Sequence, residues 1–234
     1  MIFIGSNVSS KLRSKRLSMA GLNPQLLLGA YASGIFPMAE SRHDPDLYWI
    51  DPDMRGIIPL ESFHIPRRLR KTLRTSPYDI RCDSDFIGTI RACAEPQGER
   101  AETWINDEIE QLYDALFEMG FAHSVECWEN DILVGGLYGV SVGGAFFGES
   151  MFTRVRDASK VALCHLAARL RKSGYVLLDS QFVTDHLRQF GTIEIDRAEY
   201  KAQLAKALRV NADFQPELST AELDAFIQST TQTS

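Results

Sequence analysis

The sequence predicts an α+β fold built on a mixed sheet, and three features between Ala122 and Gln181 carry that prediction. Two alternating runs, 122–129 and 132–140, meet at Asn130-Asp131, a dipeptide suited to a tight hairpin. A third strand follows at 144–151. A long helix from Asp157 to Gly174 then leads into the apolar strand Tyr175 to Asp179. Strands, then a helix, then a strand describe a mixed sheet with helices packed against it.

The rest of the chain falls into elements in order. Residues 1–20 lack periodicity and read as a loosely held basic arm containing Lys11, Arg13, Lys15 and Arg16. A helix is expected from Pro24 to Ser33, with Asn23 as its cap, Pro24 at the first helical position and Gly34 as its stop. Gly34 to Met38 is a rigid turn, and Arg55 to Leu60 a short strand interrupted by Pro59. Pro66 opens a short helix, Tyr78 to Cys82 is a strand, Phe86 to Ala94 a helix, and Glu95 to Glu102 a polar loop. Asn106 caps a helix from Asp107 to Met119 with acids in its first turn and Gly120 after it. Beyond the central region, Thr184 to Phe190 is helical, Thr192 to Ile195 extended, and Arg197 to Leu208 a helix capped by Asp196. Ser219 and Glu222 form a capping-box signature, and the Ser, Thr and Gln tail is expected to be mobile.

A chain of 234 residues with 44% hydrophobic content can bury a large core. No apolar run approaches the roughly 20 residues of a membrane span, and the N-terminal apolar and basic residues stand in the wrong order for a secretory signal. A cytoplasmic protein is expected. Cys82, Cys93, Cys127 and Cys164 have no paired spacing, which argues against a zinc ribbon or disulfide framework and reads as inert thiols. Cys164 and His165 are adjacent on a helix, so they face different directions and make a poor metal site. The net charge of −6 speaks against a nonspecific nucleic-acid coat, yet basic residues concentrate before residue 75. Arg67, Arg70, Lys71 and Arg74 fall on one helical face, a stripe suited to phosphates or simply to solvent.

Candidate chemistry gathers around LVGGLYGVSVGGAFFGESMF. Its glycines allow close approach of backbone or ligand. Glu149 stands among Phe146, Phe147, Met151 and Phe152, where a carboxylate is costly to bury without donors; the alternative is a strand-end Glu paired with Arg154 or Arg156. Asp179 and Gln181 share one strand face, and Asp179 is alternatively a cap for the helix near Thr184. Trp104 is either a core anchor or a stacking plate for a base.

Several blocks in order, GIFP at 34–37, TWI at 103–105, HS-x-E at 123–126, VGGLYGV at 134–140, GESMF at 148–152, ASK at 158–160 and LLD-x-Q at 177–181, resemble the leucyl/phenylalanyl-tRNA–protein transferases from about residue 22 to residue 208. The resemblance implies a small N-terminal domain over residues 1–60 and an acyltransferase domain similar to the GCN5-related N-acetyltransferases over 61–234. It also implies transfer of leucine, or of phenylalanine or methionine, from aminoacyl-tRNA to the N-terminal Arg or Lys of acceptor proteins, an N-degron that marks them for degradation. By the same resemblance, Asp179 and Gln181 hold and deprotonate the acceptor amine while Glu149 helps place the cationic peptide. Leu137, Phe146, Met151, Leu166 and Leu178 form the slot for the donor side chain. Trp104 and Met38 meet the adenosine end, and Arg67, Arg70, Lys71 and Arg74 touch tRNA phosphates. Met38 departs from the family, which often has Trp after GIFP, and the N-terminal region is shorter than in the family's long forms.

The ester of aminoacyl-tRNA is already activated, so the reaction calls for no cofactor, ATP or metal, and a monomer suffices. It needs a neutral amine, a positioned carbonyl and a proton route to the departing ribose hydroxyl. Two other readings compete. A CoA-dependent acetyltransferase needs a glycine-rich pyrophosphate turn, which the Arg154 to Ser159 segment lacks. A noncatalytic RNA-binding module explains the basic helix but gives no role to Glu149, Asp179 and Gln181 together.

Overall fold

The computed structural model of the chain describes residues 12–18, 21–39, 41–42, 44, 46–75, 77–96, 103–215 and 217–230. Along the first half run β1 (Leu12–Ser18), α1 (Pro24–Ala32), β2 (Phe36–Met38), β3 (Asp46–Pro52), β4 (Met54–Ile57), α2 (Arg67–Thr75), β5 (Asp79–Cys82), α3 (Phe86–Ala94) and α4 (Asp107–Glu118). The second half contains β6 (Ala122–Glu129), β7 (Ile132–Val142), β8 (Ala145–Thr153), α5 (Ala158–Lys172), β9 (Leu177–Gln181), α6 (Asp185–Arg188), β10 (Ile193–Asp196), α7 (Arg197–Ala207) and α8 (Thr220–Ser229).

Short-range chemistry sets most boundaries. The Asn23 side chain accepts from the Leu26 N–H and Asn106 accepts from that of Ile109, each satisfying an otherwise orphan donor for roughly 1 kcal/mol. Ser219 and Glu222 complete a reciprocal capping box at α8. Asn130 and Asp131 both take positive φ, 50° and 58°, the mirror-image turn that matches the twist of β6 and β7.

Three strands make a small antiparallel sheet in the order β1-β3-β2, and seven make a larger one in the order β10-β4-β9-β8-β7-β6-β5. Neighbours in the larger sheet are antiparallel except β8 and β9, which run parallel, so the sheet is mixed as the sequence predicts. One apolar cluster joins α1, α3, α4 and α7 to one face of this sheet. A second joins α2, α5 and α8 to the other. The α5 helix sits close because Gly135 has no side chain: a Cβ there would lie 2.4 Å from the Ala158 Cβ.

Three features differ from the sequence expectations. Within the expected turn at Gly34 to Met38, Phe36–Met38 form β2 because β3 offers them a partner. Residues 12–18 of the expected arm form β1, paired with β3 from Leu12–Pro52 to Ser18–Asp46. Its backbone finds partners 28 to 40 positions away, which local periodicity does not reveal. The rest of that arm, most of the polar loop and the end of the tail lie outside the described residues. Asp157 precedes α5 with φ 62° and makes no side-chain cap; its carboxylate meets Lys160 at 3.1 Å instead. Among the described residues no helix is long and apolar enough to cross a membrane.

Gly29 lies exposed inside α1 with open space at its Cβ position. Gly29→Ala is therefore expected to stabilise the protein by about 1 kcal/mol, whereas Gly135→Ala should cost about 1–3 kcal/mol by pushing α5 off the sheet. Urea unfolding of the two variants checks both signs.

Candidate active site at a gap in the sheet

The parallel ladder of β8 and β9 pairs Ala145 with Leu177, Phe146 with Leu178 and Phe147 with Asp179, then stops, although both strands continue. Beyond that point the sheet has a gap. Next to it the β7–β8 register shifts: Tyr138 faces Ser150 and Gly139 faces Gly148, which leaves Glu149 as the extra residue of a bulge. A bulge re-aims a side chain, here into the gap.

Two cavities meet there. The first has an empty volume of about 440 Å³, and its apolar wall comes from Ile58, Leu137, Met151, Leu163, Leu166, Leu178 and Leu187. Tyr138, Glu149, Ser150, Asp179 and Ser180 bring polar atoms to its other side. The second, of about 310 Å³, is lined by Phe36, Pro37, Met38, Trp104, Glu149, Gln181 and Phe182. Glu149 alone belongs to both linings.

Glu149 is enclosed by phenols. Tyr31 donates to its Oε1 at 2.7 Å and Tyr113 to its Oε2 at 2.9 Å, and the two tyrosine oxygens are themselves 2.5 Å apart. Burial pushes the Glu149 carboxyl up; the two tyrosine hydrogen bonds and Arg55 pull it down, Asp179 pushes it up, and the balance stands at about 7. Burial, followed by the charge of Glu149, holds the hydroxyls of Tyr113 and Tyr138 well above their ordinary range, and the same two causes lead at Tyr31.

Asp179 has a different environment. Its Oδ1 accepts from Arg55 Nε at 3.0 Å and from the Gln181 N–H at 2.8 Å, while Oδ2 accepts from Arg55 Nη2 at 2.6 Å and from the Tyr200 hydroxyl at 2.6 Å. Arg55 and Asp179 are both almost wholly excluded from solvent, at 1% and 0%. The guanidinium lies over the rings of Phe36 and Tyr200, 4.4 and 4.5 Å from their centroids, and donates to the Gly34 carbonyl. Gln181 takes φ 58°, and its Nε2 is buried without a hydrogen-bond partner.

Of the residues singled out from the sequence, Leu137, Met151, Leu166 and Leu178 line the first cavity and Met38 and Trp104 the second. Phe146 packs in the same cluster against Tyr175 and Phe214 without reaching the cavity wall. Glu149 pairs with neither Arg154 nor Arg156, because those arginines face Glu95 and Asp157. Asp179 is not a helix cap, since Thr184 accepts from the Leu187 N–H and caps α6 itself. On α2, Arg67, Arg68, Lys71 and Arg74 are exposed, whereas Arg70 donates to the Thr230 carbonyl and Arg74 faces Asp224 at 3.7 Å. Burial pushes the thiols of Cys82 and Cys127 up to about 12, which leaves them protonated at neutral pH.

The residues that sequence reasoning missed are Tyr31, Arg55, Tyr113 and Tyr200. Arg55 alone left a signal, a charge at the head of the apolar run Gly56-Ile57-Ile58.

A family model described as leucyl/phenylalanyl-tRNA protein transferase matches residues 57–205, and one described as the N-terminal domain of that transferase matches residues 21–53. Proteins named leucyl/phenylalanyl-tRNA–protein transferase are similar over most of the chain. That of Paramagnetospirillum magneticum is 58% identical over 203 residues, 87% of this chain and 97% of the relative. Those of Rhodospirillum rubrum and Hyphomonas neptunium are 56% and 59% identical, covering 84% and 83% of this chain and 92% and 76% of their own. Among solved structures, a functionally unknown conserved protein from Staphylococcus epidermidis aligns at TM-score 0.40 and 13% identity over 80% of this chain and 70% of its own, too distant to argue from.

Arg55→Met is expected to cost about 3–5 kcal/mol, because it leaves the Asp179 carboxylate buried without its counter-charge. The double variant Arg55→Met, Asp179→Leu should recover most of that loss, as denaturant midpoints of the two proteins would show.

Proposed function

The chain belongs to the leucyl/phenylalanyl-tRNA–protein transferases, aminoacyltransferases that act on proteins, and from that premise we propose its substrates and the work of its site. Leucine, and also phenylalanine or methionine, passes from aminoacyl-tRNA to the N-terminal Arg or Lys of an acceptor protein in the cytoplasm, creating an N-degron. The observation that carries this reading is the meeting of an apolar slot and an aromatic cleft at one carboxylate. Aminolysis of an aminoacyl ester needs such a junction, with the amino-acid side chain on one side, the nucleoside on the other and the carbonyl between them.

The slot suits a leucyl side chain, and the flexible Met151 makes room for phenylalanine. Shape alone discriminates modestly, since a methylene is worth roughly 1–3 kcal/mol. In the cleft, Phe36, Trp104 and Phe182 offer faces on which adenine stacks, and Met38 takes the place where the family often has Trp. Asp179, with both oxygens occupied, serves as a positioning residue that fixes the end of β9; Gln181, whose amide nitrogen lacks a partner, meets the substrate. Two carboxylates beside one guanidinium favour a cationic peptide end over a neutral one. A GCN5-related acyltransferase architecture, proposed for residues 61–234 after a small N-terminal domain over residues 1–60, is supported by the mixed sheet with its interrupted parallel pair, although that sheet also takes in β4 from before residue 61.

For the tRNA body we place phosphates along α2, at Arg67, Arg70, Lys71 and Arg74. This helix packs on α5, whose Leu163 and Leu166 line the slot.

Incubation with labelled leucyl-tRNA should move label to a peptide beginning with Arg and not to one beginning with Ala. Acetylation of the peptide from acetyl-CoA would instead favour the CoA-dependent reading. Replacing Arg67, Lys71 and Arg74 with Ala should weaken tRNA binding and reduce its logarithmic salt slope by about two; an unchanged slope moves the docking surface elsewhere.

A further inference from the structure

Two carboxylates border the gap, and their free capacity differs. Each oxygen of Asp179 accepts at least two hydrogen bonds from groups fixed in the core, so a proton added there would break a bidentate ion pair. Each oxygen of Glu149 accepts one, which leaves a lone pair on each.

The contacts around Glu149 also keep count of protons. Three oxygen–oxygen contacts close a ring through Tyr31, Tyr113 and Glu149, at 2.5, 2.7 and 2.9 Å. Two phenols supply two protons. With Glu149 ionised, both phenols donate to it and nothing lies between the tyrosine oxygens; with Glu149 protonated, each of the three contacts has its own proton. The ring is therefore complete when it holds one proton more than the ionised form. Glu149 is also the residue common to the slot and the cleft, where the ester carbon would lie.

We infer that Glu149 is the proton carrier of the transfer reaction and that Tyr31 and Tyr113 form the cradle that stores the proton. The inference rests on the transferase reading and deepens it. The amine nitrogen forms a bond to the ester carbon, the bond from that carbon to the ribose oxygen breaks, and the proton lost by nitrogen passes through Glu149 to that oxygen. No oxidant, metal or further reactant enters the balance. The groups facing Glu149 are Tyr31 from α1, Tyr113 from α4, Tyr138 from β7, Arg55 from β4 and Asp179 from β9. Its resting pKa near 7 suits an acceptor that must also give the proton back.

The test is single-turnover transfer of leucine from leucyl-tRNA at saturating acceptor peptide, using an acceptor whose amine is uncharged throughout the pH range. An acid that works in its ionised form makes the wild-type rate rise with pH through about 7 and then level off. Glu149→Gln should lower the plateau rate at saturating peptide by about 10²–10⁴-fold and remove its pH dependence. Tyr113→Phe opens the ring, so the rising limb should shift in pH while transfer persists. Should Glu149→Gln keep a rate near wild type and raise peptide KM instead, Glu149 is an anchor for the acceptor and the inference is overturned. If that variant does not fold, a wild-type rate flat between about pH 6 and about pH 8 overturns it as well. Wild-type protein that transfers no label to any peptide overturns the underlying transferase reading, before any variant is compared.

Discussion

The buried pair of Arg55 and Asp179 is the interaction on which the rest of the site depends. Taking both charges out of water costs several kcal/mol per ion, and their attraction repays it only where the remaining donors and lone pairs are also satisfied. Here they are: Tyr200, the Gln181 N–H and the Gly34 carbonyl complete the set, and two aromatic rings cover the guanidinium. The pair thereby fastens β4 to β9, and it reaches the turn after α1 and the side of α7. Four separate stretches of chain become one rigid floor beneath the gap.

That floor explains how two carboxylates close together behave differently. Asp179 is compensated by a fixed cation and by donors on every side, so it works as part of the frame. Glu149 sits in the same excluded volume with phenols as its hydrogen-bond donors, and burial outweighs them to leave its carboxyl at about 7. The identity of the side chain decides little; the charges and donors around it decide its role. The bulge in β8 matters for the same reason, because a regular strand would send this carboxylate elsewhere.

Much of the fold was legible from local chemistry. The caps at Asn23, Asn106 and Ser219, the Asn130-Asp131 hairpin and the long helix before Gly174 depend on residues a few positions apart, and the structure has them all. β1 was not legible, since a basic segment becomes a strand only because β3 offers it a partner. At the site, alternation along β9 puts Asp179 and Gln181 on one face, whereas Asp179 lines the slot and Gln181, at φ 58°, lines the cleft. The partners stayed hidden. Sequence reasoning looked for the counter-charge of Glu149 within a turn or two, at Arg154 or Arg156, whereas its phenols come from residues 118 and 36 positions upstream. Arg55 lies 124 residues before the aspartate it neutralises. Long-range electrostatics leave no periodicity to read.

The two linings also draw on different parts of the chain. The greasy slot is made chiefly by β7, β8, β9 and α5, while the aromatic cleft takes Phe36, Pro37 and Met38 from β2, a strand of the separate three-stranded sheet. If the cleft takes the nucleoside as proposed, substitutions in β2 retune that grip and leave the lining of the slot untouched. Either lining can then change without a matching change in the other, Glu149 being the residue they share.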